Sequence, residues 1–248
     1  MLRLTNSSSS FLDLLYPQLC ASCHGDLPYT HSDPLCLDCE QGLYSISTLA
    51  CQRCGYPALA SQTPLRKVCP RCRLPDFPLA RVRSLYGYGG VMRDLLHQFK
   101  YQQSRNAAQG LRKLMQRGAE SLRLPWSEYD LVLAVPLSLP KLRQRGFNQS
   151  QWLLDSIPFI RSCQTSVTLL CREGESHSQV GLGMRQRLQN LRGSFTVRSS
   201  QHARCNGASI LLVDDVWTTG ATLHACALAL LEAGAVQIEA LTLCRAIL

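Results

Sequence analysis

Eight of the chain's thirteen cysteines fall in four Cys-x-x-Cys pairs: Cys20/Cys23, Cys36/Cys39, Cys51/Cys54 and Cys69/Cys72. All lie within the first 72 of 248 residues, with twelve residues between the first two pairs and fourteen between the last two. A Cys-x-x-Cys knuckle offers two thiolates to one ion, and two knuckles complete a tetrahedral zinc site. Two structural Zn²⁺ would use all eight. Disulfides are the rival, but the start of the chain has Arg3 and then Ser7 to Ser10, with no long apolar core. It does not read as a secretory signal, so a reducing cytoplasmic setting is expected. Redox-active Cys-x-x-Cys fits poorly, because four copies lack an adjacent strand–helix unit. Pairing in sequence order, one ribbon after another, is the first choice. A cross-braced order, first pair with third and second with fourth, stays open. Gly25 and Gly55 lie one or two residues after a knuckle, where a positive φ is often needed. The aliphatic runs here are short, so metal would supply much of the folding energy. Cys163, Cys171, Cys205, Cys226 and Cys244 have no ligand spacing and read as small buried or half-buried thiols.

After Pro75 and Pro78 the pattern changes, which divides the chain into a zinc-ribbon domain over 1–78 and an α/β domain over 79–248. Strands are expected over 81–89, 130–135, 166–170, 194–197, 209–213 and 236–243. Helices are expected over 91–99, 104–122, 147–157 and 219–233, the last closed by Gly234. Alternation of this kind implies a mostly parallel sheet with helices on both faces. Ligands of such sheets sit at the carboxyl ends of strands. No segment is apolar for long enough to insert into a membrane, since Glu232, Gly234, Gln237 and Glu239 interrupt the C-terminal run.

One such strand end is distinctive. Ile210-Leu-Leu-Val-Asp-Asp-Val-Trp-Thr-Thr-Gly-Ala-Thr222 runs from an apolar strand through two carboxylates to small hydroxyl and glycine residues. An ordinary strand-to-helix turn, with Asp as a cap and Gly220 as a turn residue, would account for a lone Asp-Asp pair. The full block suits a ligand with a vicinal diol and a phosphate. Carboxylates accept from sugar hydroxyls, and loop amides at a helix N-terminus face an anion. It resembles the phosphoribosyl-pyrophosphate (PRPP) signature of type I phosphoribosyltransferases. By that resemblance Asp214 and Asp215 hold the ribose hydroxyls, while Thr218, Thr219, Gly220, Ala221 and Thr222 wrap the 5-phosphate.

Charge agrees with an anionic partner. Residues 1–80 hold six Lys/Arg and six Asp/Glu, and residues 81–248 hold twenty and eleven, so the net +9 lies entirely in the second part. Lys141, Arg143 and Arg145 gather beside Gly146 in the segment 136–150, before Asn148, Gln149 and Ser150 open a helix. Arginine forks suit diphosphate, which makes Arg143, Arg145 and Gly146 a candidate pyrophosphate loop. A solvated basic loop is the plainer reading of those residues alone.

Taken with the acidic motif, Arg-x-Arg-Gly-Phe-Asn-Gln resembles the signature of the ComF/GntX family, the competence protein F group. Phe99-Lys100-Tyr101, His177-Ser-Gln with Gly181, and Arg185 to Phe195 look like further family blocks. The resemblance implies a double zinc ribbon followed by a phosphoribosyltransferase-like domain, and a part in uptake and use of external DNA. It implies PRPP with Mg²⁺ as ligand, and an enzyme only if transfer to an acceptor is retained. Salvage enzymes for 6-oxopurines carry a carboxylate where this chain has Thr218, which argues against those acceptors. His177 and Glu173 are weak candidates for an acceptor base. A PRPP or nucleotide sensor, and an adaptor whose ribbons meet single-stranded DNA or a DNA-uptake helicase, are the competing classes. Tyr29, Tyr44 and Tyr56 lie near few cations, so the ribbons offer little for base stacking.

Overall fold

A computed structural model of the chain describes residues 18–28, 33–46, 51–56, 69, 72, 77–122, 124–158, 160, 163–173, 191 and 193–247. Helix α1 (Leu37–Gln41) lies in the first cysteine cluster. Strand β1 (Arg81–Gly87) then leads to helices α2 (Gly90–Tyr101) and α3 (Arg105–Ser121). Strand β2 (Leu131–Ala134) is followed by two short helices, α4 (Leu139–Arg145) and α5 (Gln149–Asp155). Next come β3 (Gln164–Thr165), β4 (Leu170–Arg172), β5 (Phe195–Val197) and α6 (His202–Cys205). The chain closes with β6 (Ser209–Trp217), α7 (Ala221–Glu232) and β7 (Gln237–Arg245). The main sheet has the order β1-β7-β6-β2-β3 and is parallel throughout. β4 and β5 form a separate antiparallel pair.

The central strands read as near-continuous apolar runs because helices cover both faces. Alternate residues serve opposite cores. Leu131, Leu133, Ile210, Leu212, Ile238 and Ala240 face one cluster, with Leu223, Cys226, Ala227 and Leu230 of α7 and Phe195 and Val197 of β5. Val132, Leu211, Val213, Leu241 and Leu243 face the other, with the apolar sides of α2, α3 and α5. Helix α3 approaches β1 closely because Gly118 has no side chain: a Cβ there would fall 2.5 Å from Leu85 Cδ1. Ser104 caps α3 by accepting from the Ala107 amide.

The expected elements are present, with three differences. β6 continues past Val213 to Trp217, so both carboxylates lie within the strand and not just after it. The expected strand over 166–170 is replaced by β3 and β4 on either side of a bend. The basic segment after β2 contains a helix, α4. Pro140 suits its first turn, and Gly146 (φ +79) closes it in the left-handed conformation.

Candidate functional site

The eight paired cysteines gather into two sets in sequence order: Cys20, Cys23, Cys36 and Cys39, then Cys51, Cys54, Cys69 and Cys72. Within each set the sulfurs all lie within 4.8 Å of one another. Cys23 and Cys36 are 3.8 Å apart at sulfur, as are Cys54 and Cys69. That separation is the edge of a tetrahedron with metal–sulfur bonds of about 2.3 Å, which is about 3.8 Å. Two local bonds repeat between the sets. The Cys36 amide donates to Cys20 Sγ and the Cys69 amide to Cys51 Sγ, both at 3.3 Å. The left-handed residue after the knuckle is Gly55 (φ +66) in the second set but His24 (φ +61) in the first. The expectation for Gly25 is therefore displaced by one residue. A sulfur-only tetrahedral donor set fits structural zinc at both sites. Of the five remaining cysteines, Cys205, Cys226 and Cys244 are buried and Cys163 and Cys171 are half-buried.

At the carboxyl end of the sheet, Asp214 and Asp215 point to different partners. Asp214 is buried, and its Oδ1 accepts from Ser150 Oγ at 2.8 Å and from the Asp215 amide at 2.9 Å. Ser150 is held there because Asn148 caps α5: its Oδ1 accepts from the Ser150 amide, and its Nδ2 donates to the Val135 carbonyl. Burial and the neighbouring Asp215 carboxylate push the Asp214 carboxyl up to about 7, against the Ser150 bond, the Asp215 amide and Lys100. Asp215 forms an ion pair with Lys100 of α2. Burial alone would depress the Lys100 ammonium, but Asp215 and Asp214 outweigh it and its pKa is raised.

After Trp217 the chain turns through Thr218 and Thr219, and Gly220 (φ +76) stands immediately before α7. Thr219 Oγ1 accepts from the Ala221 amide at 3.4 Å. The turn therefore presents backbone and hydroxyl groups at the positive end of a twelve-residue helix, beside the two carboxylates.

Four cations surround this end of the sheet. The Lys141 ammonium is held below its usual pKa by burial and then by Arg172, Arg145 and Lys100. Arg172, on β4, is depressed by burial and faces Asp214 and Cys226. Among the described residues, these four positive groups gather around the carboxylates Asp214 and Asp215, an excess of positive charge that suits an anionic ligand. Of the candidate pyrophosphate residues, Arg145 is half-buried and lies over the Tyr101 ring at 5.4 Å, whereas Arg143 and Gly146 are exposed. Glu173 is exposed and accepts from Thr196 Oγ1. His177, Gly181, Arg185 and Tyr29 lie outside the described residues.

Sequence reasoning did not assign Lys100, Ser150 or Arg172 to the site. Lys100 carried a signal. It stands four residues after Leu96 on the apolar side of α2, among Met92, Leu95 and Phe99, where a cation needs a partner. Arg172 carried none, because the three residues of β4 show no usable periodicity.

Fold and thiolate sets define a class: two four-thiolate sites of the zinc-ribbon kind joined to an α/β domain with a five-stranded parallel sheet. A family model described as the double zinc ribbon domain matches residues 11–73. DNA utilization protein YhgH of Shigella flexneri is 31% identical over 238 residues, covering 94% of this chain and 99% of its own. Competence protein ComFC of Bacillus subtilis is 29% identical over 221 residues, covering 86% and 85%. A solved structure of the allosteric regulatory enzyme of purine biosynthesis aligns with 55% of this chain and 26% of its own, at 17% identity and a TM-score of 0.35. The chain belongs to the ComF/GntX family. Among the described residues no helix is long and apolar enough to cross a membrane.

Proposed function

We propose that this protein binds PRPP with Mg²⁺ at the β6–α7 turn and acts in the uptake or use of external DNA. The observation that carries the binding reading is the convergence of two β6 carboxylates, a glycine turn opening a helix, and Lys100, Lys141, Arg145 and Arg172 at one end of the sheet. Asp214 and Asp215 take the ribose hydroxyls, 218–222 the 5-phosphate, and the basic side chains, with Arg143 at the rim, the diphosphate. Mg²⁺ prefers oxygen ligands and keeps several waters, so it arrives with the diphosphate and offsets its charge. The DNA role is supported by the names of the relatives, a DNA utilization protein and a competence protein.

If turnover follows, a nucleophile forms a bond to C1 as the C1–oxygen bond to pyrophosphate breaks, and pyrophosphate leaves with the electron pair. The protein's part is orientation, charge neutralisation and exclusion of water. Calorimetry with PRPP/Mg²⁺ tests binding, and ³¹P spectroscopy of free pyrophosphate, with and without oligonucleotide, separates a transferase from a sensor. No heat and no competition by inorganic pyrophosphate would sink the reading.

A second reading, direct contact with single-stranded DNA, is favoured by one surface. A groove of about 510 Å³ is lined by Tyr88, Arg93, His97, Lys100 and Tyr101 among others. Tyr88 and Tyr101 are exposed, and the Tyr101 ring packs at a tilt against His97, 4.9 Å between ring centres, and lies under Arg145. Aromatic faces interleaved with cations suit unpaired bases. This interleaving lies on the sheet domain, beside Lys100, and not on the ribbons. Affinity for an oligonucleotide should fall steeply with salt. Saturating PRPP should weaken it, and the reverse effect must have the same factor. Binding unaltered by Tyr101→Ala would move the DNA surface elsewhere.

A further inference from the structure

Arg245, at the end of β7, is 2% exposed. A guanidinium that deep requires partners. Its Nη1 donates to the carbonyl oxygen of Cys54, a member of the second thiolate set. Its guanidinium carbon lies 5.0 Å from the Tyr56 ring centre and 5.7 Å from that of Trp217. Trp217 ends β6 between the ribose carboxylate pair and the phosphate turn, and it is 1% exposed. Its indole occupies the space beside Gly220, where a Cβ would fall 2.4 Å from Trp217 Cζ2. Phe77, on the segment leaving the second ribbon, packs against the same indole at 6.4 Å. A packed path therefore runs from the Cys54 carbonyl through Arg245 and Trp217 to Gly220.

The first ribbon takes a different route. Ala21 packs at Gly110 of α3, the Ser22 carbonyl accepts from Gln98 of α2, and Glu40 meets Arg117 of α3. Those contacts reach the helix layer and not the phosphate turn.

We propose that Arg245 and Trp217 are positioning residues through which the metal state of the second ribbon sets the conformation of the 5-phosphate turn. With zinc held by Cys51, Cys54, Cys69 and Cys72, the knuckle is rigid and its Cys54 carbonyl anchors Arg245. Arg245 then fixes the indole, and the indole backs the left-handed turn at Gly220 so that the amides of 218–222 converge. Loss of that metal releases the anchor and loosens the turn. Phosphate affinity thereby answers to zinc in one ribbon and not the other. The ligand in this inference rests on the PRPP reading above, but the coupling does not.

Hydrogen exchange of the full zinc-loaded chain, followed in peptides covering 217–222, tests the coupling without a ligand. Arg245→Met keeps the bulk of the side chain and removes the donor. It should speed exchange of this segment about tenfold while zinc content stays unchanged. Arg245→Lys, which keeps charge and a donor but not the planar fork, should fall between. Cys54→Ser should loosen the turn at least as much, and Cys23→Ser, in the first set, should leave it as in the parent. If Cys54→Ser fails to fold, Arg245→Met and Trp217→Phe carry the test. Calorimetry on the same proteins should show PRPP affinity weakened about tenfold in Arg245→Met, with a smaller loss in Arg245→Lys. Unchanged exchange in Arg245→Met, or equal loosening by Cys23→Ser, overturns the coupling. A parent that binds no PRPP, with Arg245→Met still loosening 217–222, overturns the PRPP reading and leaves the coupling standing.

Discussion

The two zinc ribbons share a local design and differ in what they are buried against. Each has an amide-to-sulfur bond of 3.3 Å linking its knuckles and a left-handed residue after the first knuckle. Yet Cys20, Ala21, Leu27, Leu35 and Cys39 join the core that α2 and α3 make on one face of the sheet. Cys51, Cys54, Cys72 and Phe77 join the core on the opposite face, with α7 and Trp217. The second ribbon is also stitched to the sheet through its backbone. Arg53 donates to the carbonyls of Leu79, Cys72 and Phe77, and its own carbonyl accepts from the Val82 amide at the start of β1. The segment between the ribbons covers the same edge strand, with a bridge between Ser45 and Tyr86. A metal motif supplies a rigid knuckle. What that rigidity controls depends on the surface that receives it.

The largest test of this contrast is removal of one ligand from each set. Cys20→Ser and Cys51→Ser should each leave about one zinc per chain by elemental analysis, since a site missing one of four thiolates binds poorly. Thermal unfolding should distinguish them. Cys51→Ser should lower the melting temperature of the sheet more, because Arg53 and Arg245 lose the fixed carbonyls they bond. Equal effects would remove the contrast between the ribbons.

Gly220→Val comes next. It must adopt a left-handed φ and displace the Trp217 ring, at a cost of about 1–3 kcal/mol. PRPP affinity should fall more than tenfold, by calorimetry, because the turn rotates its amides away. Unaltered affinity would detach the turn from phosphate binding and from the ribbon behind it.

A smaller effect is expected from pH. Asp214 has its pKa raised to about 7 in the fold. Its contribution to stability is therefore greatest at low pH and falls as pH rises from the unfolded value toward 7, because the native state holds a proton the unfolded chain has released. Ligand binding runs the other way. If the ionised carboxylate accepts from the ribose, its ionised fraction grows from about 0.1 at pH 6 to about 0.9 at pH 8, so PRPP affinity should rise about tenfold. Asp214→Asn should flatten that rise, as read by calorimetry at several pH values. A flat profile in the parent would mean that Asp214 binds as the neutral acid.

Arg117→Ala should do least. Arg117 bonds Glu40 at 2.6 Å and lies 3.7 Å from Asp33, but all three side chains are about a third exposed or more. Such pairs contribute at most about 1 kcal/mol. A small drop in melting temperature with zinc retained is expected. A loss of zinc from the first set would show that this ribbon depends on its pins as strongly as the second.

The sequence alone determined the metal chemistry, the alternation of strands and helices, and the acidic strand leading to a glycine turn. Each is written in short-range spacing: two residues between thiols, a period of two or 3.6 for apolar residues, a carboxylate pair next to Thr-Thr-Gly. Ligand geometry and backbone periodicity act over that same range. Tertiary structure decided what no spacing records. It brought Lys100 to Asp215 across 115 positions, Ser150 to Asp214 across 64, and Arg245 to Cys54 across 191. It ran β6 on through the carboxylates, because Asp214 found Thr242 and Trp217 found Arg245 as ladder partners on β7. It also sent the two ribbons to opposite faces. The physical reason is that burial selects partners by shape and charge in space. A lysine on an apolar helix face shows that a partner is required. Only the packed chain decides which carboxylate it is.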